Sequence, residues 1–314
     1  MEKPEILMLG PMPSVEREID PLFTVHKVWL AKDRDKLMQE VAQRVRAIVT
    51  YSTTGYAVNA EFLARFPKVE MAANVGVGYE SIDMQAARAR QLVVTNTPGS
   101  NKVDVAELAM AMVLAVGRDM AGGDAHVRAG KWPKGRAPTV HRVSGQTMGI
   151  LGLGHIGVEL ARIAAAFGMK VLYHNRRRRD DVPYEYAPTL IDLAKAADYL
   201  VLAAPGGPDT AKMVNRQVLE ALGPEGVLVN VGRGTLVDEE ALLDLLESRG
   251  IKGAALDVFA REPHMSERFY RLDNVLLQPH RGGDTFEALA GQGRLVADNL
   301  RSYFEGKPVP SRVE

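Results

Sequence analysis

Short apolar runs, several rich in β-branched residues, alternate along most of the chain with longer stretches whose apolar residues recur every three or four positions. The runs "ILML", "TVHKVW", "AIVTY", "VEMAANV" and "LVVT" come first. "MGILGL", "MKVLYHN", "YLVLA", "GVLVNV", "AALDV" and "NVLLQ" follow. Continuous apolar strands spaced by helices call for parallel sheets covered on both faces. Two such series predict an α/β protein of two doubly wound, Rossmann-like domains with a cleft between them. The second series resembles six-stranded nucleotide binders.

The segment "VDVAELAMAMVLAVGRDM" (Val103 to Met120) is apolar on nearly every face and holds no proline. It predicts a buried helix lying between the domains. The last segment, "TFEALAGQGRLVADNLRSYFEGKPV", again reads as helical and is expected to return the chain to the first domain. The predicted division is therefore residues 1–99 with 286–314, and residues 100–285. Apart from a run of arginines, no internal repeat or low-complexity segment stands out.

The 314 residues suffice for two domains that each bury a core. Lys plus Arg and Asp plus Glu both number 39, so the net charge is 39 − 39 = 0. That balance argues against a general attraction to nucleic acid or an anionic membrane. The absence of cysteine excludes disulfides, thiolate zinc sites and cysteine nucleophiles. "MEKPEILMLG" lacks the apolar core and cleavage site of a signal peptide, and no run approaches the ~18 apolar residues of a membrane helix. A soluble cytoplasmic protein is the expectation. His26, His126, His141, His174 and His264 show no paired ligand spacing, so no metal is expected.

"MGILGLGHIGVELARIAAAFG" places Gly152-x-Gly154-x-x-Gly157 between an apolar strand and a helical pattern. Glycine permits the tight turn and lets the backbone approach a pyrophosphate at a helix N-terminus, where His155 and Ile156 begin the helix. Glycines also mark ordinary turns; the strand before and helix after point to a dinucleotide. The next strand should end on an acid that holds the ribose hydroxyls of NAD. That position is Asn175, followed by Arg176 and Arg177 in "VLYHNRRRRDD". An acid there would oppose a 2′-phosphate by up to ~4 kcal/mol per charge pair at about 4 Å and an effective dielectric of about 20. Arg can instead fork onto that phosphate, so the stretch predicts NADP (NADPH). Arg178, Arg179, Asp180 and Asp181 read as a solvated loop. A nucleic-acid patch is disfavoured, because the run is short, countered by aspartates and free of interleaved aromatics.

Further on, "NVGRGTLVDEEAL", "AALDVFAREP" and "LQPHRGGDT" place Arg233, Asp257, Glu262 and His280 at or just past strand ends, where parallel sheets bind ligands. Arg233 can hold the carboxylate of a 2-oxo acid by two parallel hydrogen bonds. His280 titrates in the range useful for protonating a developing alkoxide, and Glu262 beside it would favour the charged imidazole. Each alone has a plain reading as a surface ion pair, a cap or a turn. Their joint placement after successive strands points to a site.

These motifs, with "GVGYESIDMQAARARQLVVTNTPGSNKVDVAELA" and "LDNVLLQPH", resemble the D-isomer-specific 2-hydroxyacid dehydrogenase family over essentially the whole chain. "HNRRRR" and "EPHMSERFYRLDNVLLQPH" are most similar to its NADPH-using glyoxylate, hydroxypyruvate and hydroxyphenylpyruvate reductases. The resemblance implies a flavodoxin-like substrate domain and a cofactor-binding Rossmann domain. It also implies Arg233 on the substrate, His280 as acid/base and Glu262 as its partner, with backbone amides of Val77 and Gly78 on the carboxylate. Asp257 is implied near the nicotinamide end, Ala204, Pro205 and Thr210 around the adenosine half, and Val231 beside the cofactor. A homodimer through the cofactor domains is implied too, and Trp132 in "AGKWPKG" reads as a loop or interface anchor. Arg281 departs from the apolar residue usual in the family, and Lys102 from a small hydroxyl residue. Arg281 is expected to face outward. The expected reaction is reduction of a small 2-oxo acid, glyoxylate or hydroxypyruvate first and an aromatic 2-oxo acid second. A dinucleotide-sensing, corepressor-like binding protein is the alternative of another class.

Overall fold

The computed structural model describes residues 3–52 and 54–313. The chain divides into two compact units, Met1–Asn101 with Thr285–Glu314, and Lys102–Asp284. Among the described residues, no helix is long and apolar enough to cross a membrane.

The first unit holds strands β1 (Glu5–Met8), β2 (Thr24–Lys27), β3 (Val45–Thr50), β4 (Met71–Asn74) and β5 (Val93–Thr95). They form one parallel sheet in the order β2-β1-β3-β4-β5, which changes winding direction at β1 and β3. Helices α1 (Pro13–Ile19), α2 (Arg34–Val41), α3 (Ala60–Ala64) and α4 (Met84–Ala89) lie between the strands. Three of them start where the sequence supplies an N-cap: the side chains of Asp33, Asn59 and Asp83 accept N–H groups of the first turn. The strand residues alternate between two cores. Leu7, Ile48, Ala72 and Val94 enter one, and Ile6, Met8, Ala47, Val49, Met71 and Ala73 the other. Burial on both faces is why these strands read as unbroken apolar runs.

The second unit holds β6 (Thr147–Leu151), β7 (Lys170–His174), β8 (Glu185–Tyr186), β9 (Tyr199–Leu202), β10 (Val227–Asn230), β11 (Gly253–Leu256) and β12 (Val275–Leu277). All pair in parallel, in the order β12-β11-β10-β9-β6-β7-β8. Its helices are α5 (Lys102–Gly117), α6 (Met120–Arg128), α7 (His155–Ala166), α8 (Leu190–Ala196), α9 (Arg216–Leu222) and α10 (Glu239–Glu247). The sheet has seven strands rather than six. The addition, β8, is a two-residue edge strand, too short to leave a period in the sequence.

The apolar segment Val103–Met120 is not one helix. It stops at Gly117, and Asp119, in the left-handed conformation, caps α6 by accepting the Gly122 N–H. α5 buries one face, including Val105, Ala109, Met112 and Val113, in the core that it shares with α7 and the central strands.

The chain ends in α11 (Phe286–Phe304), which packs on α1 in the first unit. A methyl group at the buried Gly293 would collide with the backbone carbonyl of Ser14, so this contact depends on the glycine. Gly293→Ala should force α11 away from α1 and lower stability by ~1–3 kcal/mol, read as a lower midpoint in urea denaturation.

Candidate active site

In the second unit, β6 runs into the glycine turn and then α7. Gly152 has φ +95°, and a Cβ there would lie 2.7 Å from the backbone of Ala204. A Cβ on Gly157 would strike the carbonyl of Gly152, so this glycine lets helix and turn pack together. Gly154 is different: a Cβ there would meet no protein atom within 4 Å. It is exposed, and so is His155, while Ile156 is half-buried. No side chain caps α7 and no acid lies in its first turn. An open, uncapped, positive helix end beside a bare glycine fits the pyrophosphate of a dinucleotide.

Asn175 follows β7, and its Oδ1 accepts the Leu153 N–H at 2.7 Å. With its carbonyl so engaged, the amide NH2 is the group left to face a ligand. An amide donor suits a phosphate oxygen, whereas a carboxylate there would offer acceptors to ribose hydroxyls. Arg176 and Arg177 are exposed, and among the described residues no ion pair or hydrogen bond holds either one. Arg178, Asp180 and Asp181 are exposed as expected. Arg179 is not a solvated side chain: its Nη1 donates to the Leu153 carbonyl at 2.9 Å while its other nitrogens pair with Asp181.

The adenosine-side positions divide. Ala204 is buried and Pro205 exposed. The Thr210 hydroxyl turns into its own loop, 3.1 Å from the carbonyl of Pro205 and 3.2 Å from that of Gly207. Val231 is 6% exposed, with its side chain in the core. Lys102 pairs with Glu159 of α7 at 3.3 Å.

The groups with acid–base chemistry stand beyond β10, β11 and β12. Arg233 is half-buried and its Nη1 donates to the Gly232 carbonyl at 2.8 Å. Gly206 clears room for it, since a Cβ there would come within 2.9 Å of the Arg233 Cγ. His280 Nδ1 lies 2.6 Å from Glu262 Oε2, and Glu262 Oε1 accepts the Phe259 N–H at 2.9 Å. The two side chains are 45% and 30% exposed, so the pair is open to a ligand on the Nε2 side of the ring. The hydrogen bond to Glu262 is the main influence on His280 and raises its pKa above the ordinary 6.5. Burial pulls the other way, the charges of Glu262 and Asp257 add to the rise, and Arg233 opposes it. Burial alone would push Glu262 up, but its hydrogen bonds with His280 and Phe259 and the nearby cationic charges hold it below the ordinary 4.5. Arg281 is exposed, and Arg233 is the arginine that biases the imidazole.

Asp257 stands directly past the end of β11, as its chain position suggested. It is 2% exposed; its two carboxylate oxygens accept the N–H groups of Arg281 (2.8 Å) and Gly282 (2.9 Å), and its carbonyl accepts that of His280 (2.8 Å). Burial raises its pKa above the ordinary 3.8, against those two N–H groups. It anchors the turn in which His280 sits at φ +51°, a conformation that costs a non-glycine residue energy unless its surroundings enforce it.

Two residues that sequence reasoning missed do the same for other groups. Asn230, 1% exposed, accepts the Gly232 N–H and donates to the Arg233 carbonyl. In the first unit Asn74, 0% exposed, donates toward the carbonyls of Val75, Gly76 and Gly78, the last at 2.6 Å. Asn96 donates to the carbonyl of Val77 at 2.8 Å, and Thr97 bonds both the N–H and the carbonyl of Gly76. With those carbonyls tied back, the N–H groups of Val77 and Gly78 are left without a protein acceptor among the described residues. Two adjacent amides without a protein acceptor are donors that suit an anionic group. The signal was present: "NVGVG" (74–78) and "NVGRG" (230–234) are one pattern used twice, each after an apolar strand. Tyr51 donates to the Pro11 carbonyl at 2.9 Å, and Tyr79 is 37% exposed. Among the described residues, no group of three or more His, Asp or Glu is placed to hold a metal ion.

Residues 110–282 match the model of the NAD-binding domain of D-isomer-specific 2-hydroxyacid dehydrogenases. The chain belongs to that family. It is 39% identical to glyoxylate/hydroxypyruvate reductase A of Arabidopsis thaliana, with all of both chains covered. It is 38% identical to the hydroxyphenylpyruvate reductase of Plectranthus scutellarioides, again over the full length of both. Among solved structures it is similar to the NADPH-dependent glyoxylate/hydroxypyruvate reductase of Sinorhizobium meliloti, crystallised with NADP and malonate. The TM-score is 0.89 at 35% identity, covering 99% of this chain and 97% of that one.

For a dehydrogenase of this family the protonation of His280 has a stability consequence. Its raised pKa means that the pair's contribution is complete below about pH 6.5 and is lost as the pH rises through the folded-state value of His280. The lowered Glu262 sets the acid limit, where the contribution is lost as the pH falls through its folded-state value. NMR titration of the His280 ring should give a pKa above 6.5 in the native protein and a lower value in Glu262→Gln.

Proposed function

We propose that this protein is a cytoplasmic, homodimeric, NADPH-dependent reductase of small 2-oxo acids, with glyoxylate and hydroxypyruvate as its substrates. The observation that carries the reading is the His280–Glu262 pair at 2.6 Å, with Arg233 near enough to bias both groups. The raised pKa biases the imidazole toward its protonated form, the state that reduction requires. When bound, the nicotinamide supplies the hydride for the carbonyl carbon.

In this reading His280 Nε2 holds the proton that the carbonyl oxygen receives, and Glu262 stabilises the imidazolium until then. Arg233 binds the substrate carboxylate and polarises the carbonyl; in the first unit the amide groups of Val77 and Gly78 are donors suited to a carboxylate. A carboxylate receiving several charge-assisted or oriented N–H bonds is fixed in direction, which aligns the carbonyl for attack. Gly152, Gly154, His155, Ile156 and Gly157 hold the dinucleotide backbone, and Ala204, Pro205, Thr210 and Val231 line it. Asn175, Arg176 and Arg177 receive the 2′-phosphate. Asp257 acts from below, by fixing the turn that carries His280.

The homodimer reading has support in the second unit. α6 buries none of its residues, and Met120, Val127 and Trp132 are 61%, 52% and 64% exposed. Three large apolar side chains in one exposed segment suit a surface that a second copy covers. Dependence on NADPH and a chain without cysteine both fit the cytoplasm.

Steady-state assays with NADPH and a panel of glyoxylate, hydroxypyruvate and hydroxyphenylpyruvate test the reading. The small acids should turn over fastest, and failure of all three would contradict it. His280→Ala should lower kcat by roughly 10²–10⁴-fold. Arg233→Ala should act mainly on KM for the oxo acid. The double variant Arg176→Ala/Arg177→Ala should reduce the preference for NADPH over NADH by about tenfold or more.

A further inference from the structure

The four arginines of "NRRRRDD" are held unequally. Arg176 and Arg177 are exposed without partners among the described residues, whereas the loop is fastened on either side of them. Asn175 Oδ1 accepts the Leu153 N–H at 2.7 Å, and Arg179 Nη1 donates to the Leu153 carbonyl at 2.9 Å. One peptide residue of the glycine turn is thus gripped from both ends of the arginine loop. The hydroxyl of Tyr173, a fully buried side chain, accepts the Arg179 N–H at 2.8 Å and donates to the Arg179 carbonyl at 3.0 Å. Tyr186 donates to the Asn175 carbonyl at 3.2 Å. Asp181 holds the far side of the Arg179 guanidinium.

We infer that Arg179 is a positioning residue for cofactor selectivity. It does not touch the 2′-phosphate; it holds the loop so that Arg176 and Arg177 are presented beside the glycine turn. The inference rests on the NADPH reading above. The physical reason is entropic. Two long arginine side chains on a slack loop lose much of their charge–charge attraction to the cost of ordering, and a loop already closed at both ends removes the backbone share of that cost. Leu153 also lies next to Gly154, so the same strut keeps the pyrophosphate turn and the arginine loop in one register. A ligand without the 2′-phosphate draws on the turn alone and gains nothing from the presentation of Arg176 and Arg177.

The test is direct binding, by fluorescence titration, of NADPH and of NADH to the full-length protein and its variants. Arg179→Ala should raise the Kd for NADPH by roughly tenfold and leave that for NADH within about twofold. Arg179→Lys keeps the charge but cannot reproduce the fork between Leu153 and Asp181, so it should lose most of the same preference. Tyr173→Phe, which conserves core volume, loosens the loop from the buried side and should shift the ratio in the same direction. Full recovery of NADPH affinity in Arg179→Lys would overturn the inference, by showing that charge alone matters. An equal loss for both dinucleotides in Arg179→Ala would overturn it as well, by showing general damage to the turn. If Arg176→Ala/Arg177→Ala leaves the NADPH/NADH ratio unchanged, the NADPH reading itself fails. If that ratio falls while Arg179→Ala leaves it intact, only the role of Arg179 fails.

Discussion

A parallel sheet leaves its chain with unpaired peptide groups where each strand ends, and the loops that hold the candidate site residues begin at such ends. The structure meets that constraint with buried polar side chains at or just past the strand ends. Asn74 follows this plan for β4, Asn230 for β10 and Asp257 for β11, all nearly inaccessible to solvent. Each spends its side chain on the backbone of a loop that holds candidate site groups: the Val77–Gly78 amides, Arg233, and the turn of His280. A buried amide or carboxylate without such partners costs a few kcal/mol, so the loops and their anchors enforce each other. Within each unit these groups are held in place before any ligand arrives, which is the condition for electrostatic catalysis.

The acid–base pair illustrates how small differences in surroundings divide the labour between two carboxylates and two cationic groups. Glu262 is reachable by His280 and remains ionised; Asp257 is buried, its pKa pushed upward, and its oxygens are occupied by backbone. Arg233 opposes the charge on His280, yet the hydrogen bond to Glu262 outweighs it. The imidazole is therefore biased toward its protonated form and still has a reason to release its proton once a negative oxygen forms nearby.

Much of this was legible in the sequence, and the parts that were not have definite causes. Most strands are buried on both faces and announce themselves as apolar runs, and eleven strands were visible in the sequence. The two residues of β8, Glu185 and Tyr186, carry no period at all. The break between α5 and α6 turns on the left-handed Asp119, which a helical pattern does not reveal. The glycine turn, Arg233, Glu262 and His280 were legible because their chemistry demands those residue types. Arg179 was misread as solvated, because a charge run hides which member turns back toward its own fold. Asn74 and Asn230 were missed for the opposite reason: they look like the polar ends of apolar strands. Only the shared pattern N-V-G-x-G marks them, and it becomes informative when the loops are seen to be tied in the same way.

The central claim is that His280, held protonated by Glu262, delivers the proton to the carbonyl oxygen of a 2-oxo acid. The pH dependence of kcat/KM for glyoxylate or hydroxypyruvate reduction, at saturating NADPH, tests it most directly, because this parameter reports the ionisation of the free enzyme. The account predicts a rate that falls on the alkaline side through one ionisation above pH 6.5, and that falls at lower pH in Glu262→Gln. A profile that stays flat through this range, or that the glutamine variant leaves unmoved, would contradict it.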